Sequence, residues 1–138
     1  MSKFWVAALV VLCATVVFAK GKPLYKAEDC GKYTVQFEMN QCANGNADTA
    51  DAALNALYKQ VMQSRADDAS RNALKQSERA WIKHRDKTCD DEVGSREDSG
   101  SIWPMEMSSC LQKQTDARLH VLHAMLACTA GVSVCNPH

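Results

Sequence analysis

The stretch SRNALKQSERAWIKHRDKTCDDE, Ser70 to Glu92, holds neither glycine nor proline. Leu74, Trp81 and Ile82 fall at helical spacing along it, and Cys89 lies on the Trp81 side. Lys75, Arg79, Lys83 and Lys87 recur every four residues and make a basic stripe on another face. Apolar and charged faces separated at a period of 3.6 residues predict an amphipathic helix over 70–92. The basic stripe reads as a solvated face, or else as a face for an anion.

The same period continues on both sides. Upstream, Val35, Met39, Ala43, Ala50, Leu54, Leu57 and Val61 predict a helix from Thr34 to Arg65. Asn44-Gly45-Asn46 are poor helix residues, so a break or kink is expected there, with Asp48 or Thr49 capping a restart. Downstream, Gly94 to Gly100 reads as a loop. Ser101 or Trp103 then caps a third helix, with Pro104 tolerated in its first turn. Met107, Leu111, Thr115, Leu119, Leu122 and Leu126 form its face, and Gly131 and Pro137 follow as stop signals. No stretch alternates in period two. The expected fold is all-α, a three-helix up-down-up bundle with short connections.

The start of the chain reads as an export signal. Lys3 is the charged n-region, Phe4 to Phe18 is almost wholly apolar, and Val17-Phe18-Ala19 places the cut after Ala19. Residues 1–19 are thus the expected signal peptide and 20–138 a single domain. The apolar run is too short for a spanning helix. Leu12 precedes Cys13 where a lipobox needs a small residue, so no stable membrane anchor is expected. Losing Lys3 leaves 15 basic and 16 acidic residues, a net charge of −1. That balance argues against a nucleic-acid partner, which calls for a strong basic excess.

Six cysteines remain after the cut: Cys30, Cys42, Cys89, Cys110, Cys128 and Cys135. An even number in a short exported chain predicts three disulfides and an oxidising compartment, periplasmic or extracellular. No C-x-x-C pair suggests zinc. In the up-down-up topology Cys30, Cys42, Cys89 and Cys110 gather at one end of the bundle. Depth along the helices favours Cys30–Cys89 and Cys42–Cys110, with Cys128–Cys135 at the opposite end. The two other pairings of the first four stay open.

Little in the chain suggests catalysis. With its cysteines oxidised the domain offers no thiolate, and it has neither G-x-S-x-G nor a glycine-rich phosphate loop. His120 and His123, at i and i+3, lack a recognisable third ligand, with His84 and His138 candidates by elimination only, so neither metal nor cofactor is expected. Carboxylate pairs such as Asp48 and Asp51 read as capping or structural groups. Glu78, Trp81, Arg85 and Cys89 share one side of their helix. A charged Arg85 on the crosslinked side needs partners, and Asp51, Asn55 and Thr115 can supply them, so these residues with Glu78 form an expected structural polar network. Asp90, Asp91, Glu92, Glu97 and Asp98 make an acidic turn that either faces solvent or docks on a cationic partner.

Four pieces together resemble a known family. They are Cys30 with Met39-Asn40-Gln41-Cys42; Asp51-Ala52-Ala53-Leu54-Asn55-Ala56-Leu57-Tyr58; Ala80-Trp81-Ile82-Lys83-His84-Arg85-Asp86-Lys87-Thr88-Cys89; and Gly100-Ser101-Ile102-Trp103-Pro104-Met105 leading to Cys110, Thr115 and Arg118. In this order and spacing, over residues 30 to 122, the chain is similar to the lysozyme inhibitor LprI-like family of bacterial secreted and periplasmic proteins. Two features depart from it: glutamine is usual where this chain has Glu78, and the tail with Cys128 and Cys135 lies beyond the pattern.

The resemblance implies a helical, non-enzymatic protein that binds and blocks a lysozyme-type glycoside hydrolase. The expected contacts are the acidic residues of 90–98 and Trp103, since lysozymes are usually basic. The alternative is a cell-envelope module whose basic stripe binds peptidoglycan, an anionic surface or another envelope protein.

Overall fold

A computed structural model describes residues 23–129. The described chain is all helical: α1 spans Gln36–Gln63, α2 Asp68–Val93, α3 Arg96–Ser99 and α4 Trp103–Thr129, with 3-10 turns at Cys30–Lys32 and Gly100–Ile102. The three long helices run up, down and up. The expected signal peptide and the pair Cys128–Cys135, through Cys135, lie outside the described residues.

Each long helix forms where its pattern and caps allow. At the α1–α2 connection, the Ser64 N–H donates to Gln60 O and the Asp67 carboxylate accepts the Ser70 N–H at 2.7 Å. That capping bond holds the Asp67 carboxyl below its usual pKa. α2 ends at Gly94, whose φ of +73° is ordinary for glycine and strained for other residues. Pro104 sits in the first turn of α4, where its missing N–H has no intrahelical partner to lose.

The large side chains meet in the lower half of the bundle. Leu54, Leu57 and Val61 of α1, Leu74 of α2, and Leu119 and Leu122 of α4 form the core, with Tyr25, Tyr58, Trp81 and Met125 packed around it. The upper half is closed by small groups instead. Ala43 and Ala50 of α1 and Ser108 and Thr115 of α4 are buried there with Cys42, Cys89 and Cys110. Small residues let the parallel helices α1 and α4 pack closely over most of their length.

Three expectations are corrected. First, α1 does not break at Asn44-Gly45-Asn46. Asn46 is buried, and its amide accepts the Glu28 N–H at 2.7 Å and donates to Glu28 O at 2.9 Å. This tertiary anchor outweighs the weak local propensity. Second, the segment after α2 is not an irregular loop but contains α3, capped by Ser95, whose hydroxyl accepts the Asp98 N–H.

Third, the first four cysteines pair as Cys30–Cys42 and Cys89–Cys110, each with a Cα separation of 5.7 Å. Cys30–Cys89 and Cys42–Cys110 are not formed. The reason is the course of residues 23–33. They do not extend the axis of α1 but run back along it, so that Glu28 lies against Asn46 and Cys30 beside Cys42. Cys89 and Cys110 then reach the same depth on antiparallel α2 and α4.

Candidate functional site

The end of the bundle where α2 stops and α1 and α4 begin is rich in carboxylates and tightly tied. Asp90, Asp91 and Glu92 form the last turn of α2, and Glu97 and Asp98 lie on α3, all exposed. Cys89–Cys110 staples α2 to α4 just below them. The Trp103 indole N–H donates to Gly94 O at 3.0 Å, and the Ser99 hydroxyl to Val93 O at 3.4 Å. From α1, the Asn40 amide donates to Ser101 O at 2.9 Å. The connection between α2 and α4 is thereby held from three sides.

Charge at this end is mainly negative. Lys87 pairs with Asp91 at 2.7 Å, a contact that raises the Lys87 pKa. Arg96 lies over the Trp103 ring, 5.4 Å from its centre. Glu92 and Glu106 line one shallow hollow of about 540 Å³, together with Cys110 and Lys113. Trp103 is half-buried, with its N–H engaged and its ring faced by Arg96, so its first role is to clamp the connection.

The polar residues lower down separate into two bridges. Arg85 reaches Asp51 of α1 at 3.1 Å and its neighbour Asp86 at 2.9 Å, and the Thr115 hydroxyl of α4 donates to Asp51 at 3.1 Å. The structure thus brings Asp51, Arg85 and Thr115 together across all three long helices. Glu78 instead pairs with Arg118 of α4, whose Nε and Nη2 donate to one carboxylate oxygen at 2.9 and 2.8 Å. The Trp81 ring is near both guanidinium groups, with Arg85 at 5.2 Å and Arg118 at 5.7 Å from its centre. Asn55 is exposed and lines a cleft of about 480 Å³ between α1 and α2, with Tyr58, Lys75, Arg79 and Ile82 on its walls.

The model of the lysozyme inhibitor LprI family matches residues 27–122. The chain belongs to that family. An uncharacterised protein of Rhizobium meliloti is 32% identical over 132 residues, covering 87% of this chain and 92% of that protein. No solved structure matches. The LprI match takes in Cys30–Cys42 and Cys89–Cys110, the two ion-pair bridges and the acidic end, and it stops at Leu122, the last fully buried leucine of the core. The LprI family is named for inhibition, not for catalysis. The family and the cystines fit an extracellular or periplasmic protein, and no helix among the described residues is long and apolar enough to cross a membrane.

Sequence reasoning missed three residues of the LprI domain that matter to this arrangement. Arg118 is the partner of Glu78, and its signal was a lone arginine one position before Leu119 on an otherwise apolar helix face. Asn46 was read as a helix breaker when it is a buried anchor. Phe37 was passed over, although an aromatic residue off the apolar stripe of its helix is itself a signal. His120 and His123 are both exposed on α4, and among the described residues no group of three or more His, Cys, Asp or Glu stands ready for a metal ion.

Proposed function

We propose that the protein is an exported inhibitor of a lysozyme-type cell-wall hydrolase, acting through the acidic end of its bundle. In this reading residues 1–19 direct export, and residues 20–138 act as one domain in the periplasm or outside the cell. The observation that carries the reading is the rigidity of the carboxylate-bearing connection. Asp90, Asp91, Glu92, Glu97 and Asp98 stand exposed on helical turns tied by Cys89–Cys110, by Trp103 to Gly94 and by Asn40 to Ser101.

A preformed surface loses little conformational entropy when it docks. Clustered carboxylates speed association with a cationic enzyme and orient it. Once docked at the rim of the substrate cleft, the bundle end excludes the polysaccharide. No step of chemistry is asked of the protein.

Lysis of cell walls by a basic lysozyme in the presence of the oxidised domain tests this. Dose-dependent inhibition is expected, weakened by Asp90→Lys, Asp91→Lys and Glu97→Lys combined. Unimpeded lysis across several lysozyme types would sink the reading.

One observation supports a second reading. Lys75 and Arg79 line the α1–α2 cleft and have no ion-pair partner among the described residues. They suit an anionic glycan or surface, as an envelope-binding module would need. Salt-sensitive sedimentation with cell-wall material, together with no effect on lysozyme, would favour it.

A further inference from the structure

We infer that Phe37 is the apolar anchor with which this protein grips a cationic protein partner. The inference rests on the inhibitor reading and deepens it. Phe37 is 66% exposed, the most of any large hydrophobic residue among those described. It is not alone. Val35 is 54% exposed and Ile102 36%, so three of the six exposed large hydrophobic residues lie at the acidic end.

The local geometry shows why the ring stands out. Gln36 and Asn40, one turn apart, form the inward side of the first turn of α1, facing Met105 and Ser101. Phe37 is one residue on, about 100° around the helix axis, which carries it off that contact side. The turn itself is firm. Met39 N–H donates to Val35 O at 3.1 Å, Asn40 is tied to the α3–α4 connection, and Cys42 one turn further is crosslinked to Cys30. An aromatic side chain on a fixed helical turn loses few degrees of freedom on binding.

Charge decides the occupant. Glu38 adjoins Phe37, and the carboxylates of Asp90, Asp91, Glu92, Glu97 and Asp98 share this end. An exposed aromatic side chain at a carboxylate-rich end suits a basic protein partner. The same carboxylates oppose an anionic membrane, and they oppose a second copy of this chain. Trp103 does not serve as the anchor, because its N–H and ring are already engaged within the fold.

The test uses the oxidised chain cut after Ala19, with Phe37→Ala, Phe37→Asp and, as a control of the same kind, Val121→Asp. Val121 is 44% exposed and lies 18 residues along α4 from Trp103. Circular dichroism and thermal melting should match the parent for all three, since the positions are exposed. In lysis inhibition with a basic lysozyme, Phe37→Asp should raise the half-inhibitory concentration about 30-fold or more and Phe37→Ala about 10-fold, with Val121→Asp within about twofold. If the parent inhibits and both Phe37 variants inhibit equally well, the anchor is wrong and the inhibitor reading stands. If the parent does not inhibit, both fall. Concentration-dependent dimers of the parent that Phe37→Asp abolishes would also overturn the inference, by making a second copy the occupant.

Discussion

Arg118 of α4 and Glu78 of α2 form an ion pair at 2.8 Å in which both side chains are about nine-tenths buried. The guanidinium donates twice to Oε2 and once more to Ser77 at 3.1 Å, while Glu78 Oε1 has no hydrogen-bond partner among the described residues. Removing one member strands the other charge out of water. Glu78→Ala or Arg118→Ala should therefore destabilise the domain by about 3–5 kcal/mol in urea unfolding. Replacing both by methionine should cost far less, because no charge is then left unpaired. A Glu78→Ala cost below about 1 kcal/mol would mean the pair does not hold α2 to α4.

Cystine mapping is a direct check on the course of the chain. Tryptic cleavage at Lys32 and Arg96 separates the members of each pair, so non-reduced digests should yield linked peptides Cys30–Cys42 and Cys89–Cys110. A Cys30–Cys89 link would overturn the placement of residues 23–33 against α1. Loss of either cystine through paired serine substitution should lower stability by about 3 kcal/mol, the entropy of loops of this length.

Gly45 and Gly94 should respond in opposite directions to alanine. Gly45 is exposed inside α1 with open space where a Cβ would stand. Gly45→Ala should stabilise the domain by about 0.5–1 kcal/mol. Gly94 caps α2 at φ +73°, so Gly94→Ala should destabilise by about 1 kcal/mol or more. Thermal melting of the two variants reads both signs, and a lower melting point for Gly45→Ala would contradict the continuous helix.

Tyr25 should ionise late. Burial, then the neighbouring Asp116 carboxylate, push its phenol up to about 12 from 10.0, against the pull of Gln112, whose amide donates to it at 2.8 Å. The folded state holds this proton more tightly than the unfolded chain does. Its contribution to stability is thus complete below about pH 10 and disappears as pH rises through about 12. Ultraviolet titration of the parent should show a phenolate step near 12 that Tyr25→Phe lacks, and the parent should lose more stability than Tyr25→Phe over that window. If the step that Tyr25→Phe lacks fell near pH 10 instead, Tyr25 would be in water rather than against α4.

What the sequence determined by itself is local. Leu54, Leu57 and Val61 on α1 and Leu119 and Leu122 on α4 announce their helices through a period that each segment carries alone. The motifs around Cys42, Trp81 and Cys110 identify the family through order and spacing. For Arg85 the sequence offered Asp51, Asn55 and Thr115 as partners; in the structure its guanidinium meets Asp51 and Asp86, Thr115 donates to Asp51, and Asn55 stays exposed.

Only the tertiary structure decided what depends on register between segments. Cys30, Cys42, Cys89 and Cys110 all reach one end of the bundle, and depth along the helices favoured Cys30–Cys89 and Cys42–Cys110, neither of which forms. The choice came from residues 23–33, which have no periodicity to read and fold back along α1 because the Asn46 amide satisfies the Glu28 backbone. The same anchor keeps α1 continuous where Asn44-Gly45-Asn46 predicted a break. Glu78 found Arg118 rather than Arg85, since which side chains meet across two helices depends on their relative rotation, and a 3.6-residue period does not encode it. Phe37 shows the same limit from outside: its place off the apolar stripe is a signal in the sequence, but only the packed helices show that the described fold leaves it 66% exposed.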